Sequence, residues 1–252
     1  MISVCILTKN SERSLRETLA SLVHFPEVII LDTGSSDKTL EIAKQFLNTR
    51  VEKVKFSGFG PLRNYAAQIA KHDWILALDS DEVLSEELQK QLHNLSLNSD
   101  CVYEIKFINF YRGKQIKGCG WQPESHVRLY HKKRTRFSEV QVHEGVVTEN
   151  FKIVKIDKPI LHTPYRTVSD FLAKMQHYSD LFAKEQCGKR KSSFRTALAH
   201  GVGAFVKTYL LKRGFLMGRE GFMIALYNAN TAFYKYLKLD EMNAARSSLS
   251  PR

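Results

Sequence analysis

Residues 73–83, DWILALDSDEV, decide how the rest of the chain is read. Trp74 to Leu78 is unbroken and apolar, the composition of a strand buried on both faces of a parallel sheet. It closes on two carboxylates, Asp79 and Asp81, in a D-x-D arrangement. Ser85 to Leu95 (SEELQKQLHNL) then carries acidic residues in its first turn, as a helix start does. The carboxylates therefore stand in a strand-to-helix crevice, the usual ligand position of open α/β sheets. A chelating pair there suits a divalent cation. The competing assignment is that both aspartates only cap the next helix.

Toward the N-terminus, Ile2 to Leu7 is a short apolar strand ending in Thr8-Lys9-Asn10, and the spacing of apolar residues predicts a helix over 14–23. Glu27 to Leu31 is a second buried strand, closing on Asp32-Thr33-Gly34-Ser35-Ser36-Asp37 before a helix over 40–47. Asp32 is placed to read a base or ribose edge, and Gly34 permits close approach of a ligand. A plain turn with a helix cap at Ser36 or Asp37 is the alternative. Val51 to Phe56 is a third strand. It leads into Gly58 to Asn64 (GFGPLRN), where Pro61 fits a first helical turn and Arg63 is a candidate to face a phosphate. Three β-α units plus the DSDE strand make a half-Rossmann region of about 100 residues. The absence of G-x-G-x-x-G and of a Walker sequence argues against dinucleotides and P-loop chemistry.

Beyond the D-x-D, Cys101 to Phe110 alternates as a strand, and Arg112 to Gln122 is a glycine-rich turn displaying Trp121, either a packing anchor or a sugar platform. Val127 to His131 and Arg136 to Val140 are predicted to pair as a hairpin around Lys132-Lys133-Arg134-Thr135. Val142-His143-Glu144-Gly145 follows. Ile153 to His162 is a strand whose final histidine is either a core residue or a metal ligand, with His126 as a rival ligand. Helices take over after Tyr165. Val168 to Cys187 is amphipathic, 188–193 is a basic linker, and 194–239 mixes aromatic, apolar and basic residues without a clean stripe, broken by Gly214, Gly218 and Gly221. Residues 240–252 are expected to fray.

The chain has 252 residues and a net charge of +12. Residues 1–150 carry 20 Lys+Arg against 19 Asp+Glu, whereas 151–252 carry 18 against 7. A basic C-terminal third beside a neutral body points to an anionic partner surface, nucleic acid or acidic lipid. Four scattered cysteines, with no C-x-x-C, argue against a zinc or disulfide framework and suit a reducing cytoplasm. No signal peptide is expected ahead of the first strand. The longest charge-free run near the C-terminus, 221–234, is too short and too polar to span a bilayer.

TKN after the first strand, DTGSSDKT after the second, GFGPLRNYA, and DWILALDSDE, in that order, resemble family 2 glycosyltransferases of the GT-A fold. Among these, the chain is most similar to the bacterial lipopolysaccharide-core β-glucosyltransferase branch. The match covers about the first 90 residues well. The resemblance implies an α/β fold: a GT-A-type half-Rossmann nucleotide-binding sheet with mixed acceptor-side strands and a C-terminal basic helical appendage. It implies a catalytic domain over 1–165, divided at residue 100 into nucleotide-sugar and acceptor halves. The basic and aromatic composition of 166–252 points to a membrane-associating helical appendage, the alternative being helices that pack back on the catalytic domain with a solvated basic face.

The implied reaction is inverting transfer of a hexose, glucose in that branch, from a nucleotide diphosphate sugar such as UDP-glucose to a lipid-linked oligosaccharide. Carried over by motif, Thr8, Asp32, Arg63 and Asp79 bind the donor, and Asp81 binds Mg²⁺ or Mn²⁺ with His162. Trp121 faces the acceptor, and the V-H-E carboxylate of Glu144 deprotonates it. An inverting transfer needs such a base on the sugar face opposite the leaving nucleotide. One departure is Ser11, which stands where the family often has an acidic residue; Glu12 is one place later. The implied location is cytoplasmic, peripheral on the inner face of the bacterial inner membrane. Two rival functions remain, transfer to polyprenyl phosphate and a basic nucleic-acid-binding module. The second leaves the D-x-D unexplained, so no nucleic acid partner is expected.

Overall fold

The computed structural model of the protein describes residues 1–138 and 145–249. They fall into two compact units, Met1–Ile108 with Glu124–Thr163, and Asn109–Pro123 with Pro164–Arg252. In chain order the elements are β1 (Ile2–Thr8), α1 (Leu15–Ala20), β2 (Glu27–Asp32), α2 (Thr39–Ala43), β3 (Thr49–Lys53), α3 (Phe59–Ile69), β4 (Trp74–Asp79), β5 (Glu82–Leu84) and α4 (Glu86–His93). There follow β6 (Cys101–Tyr111), β7 (Lys114–Gln115), β8 (Glu124–His131), β9 (Lys152–Tyr165), α5 (Val168–Gln186), α6 (Phe194–Val206) and α7 (Arg219–Leu249).

In the first unit β1 pairs in parallel with β2 and β4, and β2 with β3. Beyond β4 the order continues β8-β6-β9-β5, with β8 antiparallel to both β4 and β6. This is the α/β sheet expected of the GT-A type, a parallel half joined to mixed strands. Successive side chains of a strand point to opposite faces. Ile2, Val4 and Ile6 of β1 thus pack with Leu15, Leu19, Leu88 and Leu92 of α1 and α4, while Cys5 packs with Leu62, Ala66 and Ala67 of α3. Each fully buried Leu or Ile contributes about 1.5–3 kcal/mol. Covering both faces is what allows strands with no polar alternation.

The structure departs from several of these expectations. Ser85, not either aspartate, caps α4: its Oγ accepts from Leu88 N at 3.2 Å. The hairpin expected between 127–131 and 136–140 does not form among the described residues. β8 uses its edges for β4 and β6, and Phe137 bridges instead to Val146. β5, three residues long, was not foreseen.

The second unit is mainly helical. α5 opens with a capping box in which Asp170 N donates to Thr167 Oγ1 and Thr167 N to the Asp170 carboxylate. α6 runs on through a π-helical turn, Lys207–Leu211, and a 3-10 turn, Gly214–Met217, before α7 packs against α5 and α6. Gly221 does not break α7. It marks a close approach, since a Cβ there would lie 1.9 Å from the Gly214 carbonyl oxygen. Nor does the chain fray at residue 240, because α7 continues to Leu249. Asn243 ties it down, accepting from Gly188 N and donating to Arg190 O. No helix among the described residues is long and apolar enough to cross a membrane.

Candidate functional site

The carboxyl ends of β1, β2 and β4 meet at one edge. Strand register sets Thr8 beside Asp32 and Leu7 beside Asp79, so the two aspartates flank β1 at nearly the same height. Asp32 is buried, and donors converge on it: Thr8 Oγ1 at 3.3 Å, Gly34 N at 3.1 Å, Ser35 N at 3.0 Å, and Ser35 Oγ. Burial pushes its pKa up, but the bonds from Ser35, Gly34 and Thr8 outweigh that and hold the carboxyl below its usual range.

The loops after β1 and β2 brace each other. Ser36 N donates to Asn10 Oδ1 and Ser11 N to Thr39 Oγ1. Glu12 takes part in this brace, accepting from Lys38 N and donating its own N–H to Asp37.

β4 turns into β5 through Ser80-Asp81, and the turn is fixed by Ser80, whose Oγ lies 2.7 Å from Ser11 Oγ and whose carbonyl accepts from Thr18 Oγ1. Asp79 sits among three charged side chains, Arg63, Arg128 and Glu82. Arg63, only 4% exposed, donates to its Oδ1 at 2.5 Å, and Arg128 donates to its Oδ2 at 3.2 Å. Arg128 also pairs with Glu82, whose Oε2 accepts from Asp79 N at 2.9 Å. The Asp79 side chain keeps 41% of its surface exposed. Burial works against its ionised form, yet Arg63 and Arg128 prevail and hold its pKa well below the usual carboxylate range. Glu82 is the opposite case: burial and the charge of Asp79 outweigh Arg128, and its pKa is pushed up to about 7.

Arg128 and Glu82 escaped the sequence reading. The available signals were an arginine inside the apolar strand HVRLYH and the acid directly after the D-x-D.

β5 explains how residues 81 and 162 come together. It pairs antiparallel with β9 in a register that sets Glu82 opposite His162. Asp81 Oδ2 then lies 3.6 Å from His162 Nε2. Burial lowers the His162 pKa, but its pairing with Asp81 and the charges of Glu82 and Asp79 raise it further than burial lowers it. An oxygen and a nitrogen at this separation can be adjacent ligands of one ion. Among the described residues no cluster of three or more His, Cys, Asp or Glu could hold a metal. Two protein ligands nevertheless fit Mg²⁺ or Mn²⁺, which take the rest of their shell from substrate phosphates and water. The rival His126 bonds instead to Glu124 at 2.9 Å, with its ring against Phe107.

Trp121 belongs to the second unit. Its ring stacks on Tyr165, centroids 5.8 Å apart, and its carbonyl accepts from Asn109 Nδ2. Glu144 lies outside the described residues. The residues flanking that gap are described: Ser138 N donates to Gly145 O at 2.8 Å, and Phe137 exchanges two hydrogen bonds with the Asn64 side chain, at 2.8 and 3.0 Å. The Arg63 guanidinium lies over the Phe137 ring, 5.1 Å from its centroid. The Phe137–Val146 bridge thus rests on α3, beside the arginine that holds Asp79.

The family model for glycosyl transferase family 2 matches residues 3–147. An uncharacterized glycosyltransferase of Rickettsia typhi is 30% identical over 257 residues, covering 96% of this chain and 87% of its own. The lipopolysaccharide core biosynthesis glycosyltransferase LpsC of Rhizobium meliloti is 26% identical, covering 98% and 94% respectively. A solved structure, S. aureus TarS 1-349 in complex with UDP, aligns with 100% of this chain and 93% of its own at 18% identity and a TM-score of 0.49. With more than half of its length inside the family pattern, the chain belongs to glycosyl transferase family 2.

Proposed function

We propose that the chain is a metal-dependent, inverting hexosyltransferase that moves glucose from UDP-glucose to a hydroxyl of a lipid-linked oligosaccharide of lipopolysaccharide-core type. The observation that carries this reading is the convergence of Asp79, Asp81 and His162 at the carboxyl end of β4. The near-full-length likeness to LpsC supports the acceptor class, and UDP-glucose is the donor that the resemblance to the β-glucosyltransferase branch implies.

In this reading Thr8 and Asp32 floor the nucleoside end, with Asp32 fixing the Gly34-Ser35 turn against which the base rests. Asp79, aimed by Arg63 and Arg128, offers its exposed edge to the ribose. Asp81 and His162 would hold the divalent cation, which when bound offsets charge building on the departing diphosphate. Trp121 provides an apolar face for the acceptor sugar. Glu144 takes the proton from the attacking hydroxyl, and a carboxylate is a sufficient base for it once partly desolvated. The enzyme works at the cytoplasmic face of the inner membrane.

The test is a panel of UDP-sugars incubated with the protein, with and without Mn²⁺, reading release of UDP. One UDP-hexose should be hydrolysed slowly, and only with the metal. Release from none of them, or release indifferent to Mn²⁺, contradicts the reading.

A further inference from the structure

α6 is amphipathic in the reverse of the usual sense. Its face toward α7 is made of small residues, and Ala197 and Gly201 are buried there. A Cβ at Gly201 would meet the Ala229 carbonyl and the Phe233 side chain at 3.3 and 3.2 Å, a close approach of the two helices. Buried Thr208 continues this face, accepting from Asn228 Nδ2 at 3.2 Å. The outward face carries the large residues. Phe194, Leu198, Val202, Val206 and Leu210, every fourth position, are each 40–59% exposed, and Leu211 is 76% exposed. A surface helix of a globular protein normally turns such a stripe inward. At 1.5 Å per residue this one is about 25 Å long, and an exposed apolar patch of that extent marks an interaction surface.

Charge decides the partner. From residue 186 to 219 the chain has eight Lys or Arg and no Asp or Glu. Arg195, Lys207, Lys212, Arg213 and Arg219 are all exposed. A second copy of this chain laid stripe against stripe would bring these like charges together with no acid in the segment to offset them. A nucleic acid would engage the cations and leave the leucines in water. An anionic bilayer takes both, the apolar side chains at the acyl boundary and the cations among lipid phosphates.

We infer that α6 and the turn that follows it lie on an anionic phospholipid surface. The inference deepens the lipid-linked acceptor reading and rests on it for its biological sense. The face brings the enzyme to the membrane in which such an acceptor is embedded.

The experiment is flotation of the full chain with phosphatidylcholine vesicles, with and without phosphatidylglycerol. Two variants are compared, Leu198→Asn/Val202→Asn/Leu210→Asn and Lys207→Gln/Lys212→Gln/Arg213→Gln. All changed side chains are exposed, and an unaltered thermal melt certifies the fold. The wild type should float only with phosphatidylglycerol and be released only in part by high salt. The charge variant should bind about fivefold more weakly per cation removed. The apolar variant should lose its salt-resistant fraction.

Failure of the wild type to float, or an apolar variant that keeps salt-resistant binding, overturns the inference. So does a wild-type dimer that the apolar variant abolishes without any flotation, or duplex DNA binding without flotation. The vesicles carry no saccharide, so flotation is independent of the sugar chemistry. UDP release in vesicle-free buffer reads that chemistry separately and should be equal in all three proteins.

Discussion

Glu144→Gln is expected to lower sugar transfer by roughly 10²–10⁴-fold, the contribution of a positioned general base, while leaving UDP affinity nearly unchanged. The substitution keeps the size of the side chain and removes its basicity. If Glu144 only braced the fold, thermal stability and nucleotide affinity would fall together, with little specific loss of turnover in the folded fraction. The comparison uses folded protein at saturating donor, so that transfer and not binding is measured. Near-normal transfer by the variant would point to another base, with Glu124 or His143 the first to examine. It would also favour a polyprenyl phosphate acceptor, which needs little base catalysis because it is already an anion.

The second large effect concerns the support beneath Asp79. Arg128→Met removes the cation shared by Asp79 and Glu82, and Glu82 is 1% exposed. Breaking a buried pair by deleting one partner costs about 3–5 kcal/mol, and chemical denaturation at pH 8 should show a loss of that size. The pH dependence has a definite sign. Glu82 has a folded pKa of about 7, above its unfolded value, so its protonated form favours the folded state and that advantage is lost as pH rises through 7. Removing Arg128 raises the folded value further. The two proteins should therefore differ least below pH 7 and diverge above it. Adding Glu82→Gln to Arg128→Met should recover part of the loss and flatten its pH dependence. A loss that is the same at pH 6 and pH 8 would mean that the Arg128–Glu82 pair is not the cause.

The parallel half of the sheet was legible because its strands are buried on both faces, and Trp74 to Leu78 has no other easy reading. The D-x-D was legible for the same reason, since the strand fixes where it ends. What brings Asp81 to His162 was not. β5 has three residues, too few for any periodic signal, and its register with β9 is a tertiary fact.

The failed hairpin has a related cause. Alternation marks 127–131 as a strand but does not name its neighbours, and the 24 residues from Cys101 to Glu124 supplied a better partner in β6. Arg128 pairs with an acid 46 positions away, a distance over which sequence pattern carries no information. In α6 the four-residue spacing of Phe194, Leu198, Val202, Val206 and Leu210 is hidden in the sequence by the aromatic and apolar residues between and after them. Which side of the helix α7 would cover is hidden too, and that side decides whether the stripe is core or surface.

The central claim is that the end of β4 holds a nucleotide diphosphate through a divalent cation bound by Asp81 and His162. Calorimetric titration of UDP tests it most directly, in Mn²⁺ and again in excess chelator, on the wild type and on Asp81→Ala. UDP should bind the wild type far more tightly with Mn²⁺ than with chelator, and the variant should bind equally weakly in both. Equal UDP affinity of the wild type in Mn²⁺ and in chelator would contradict the account.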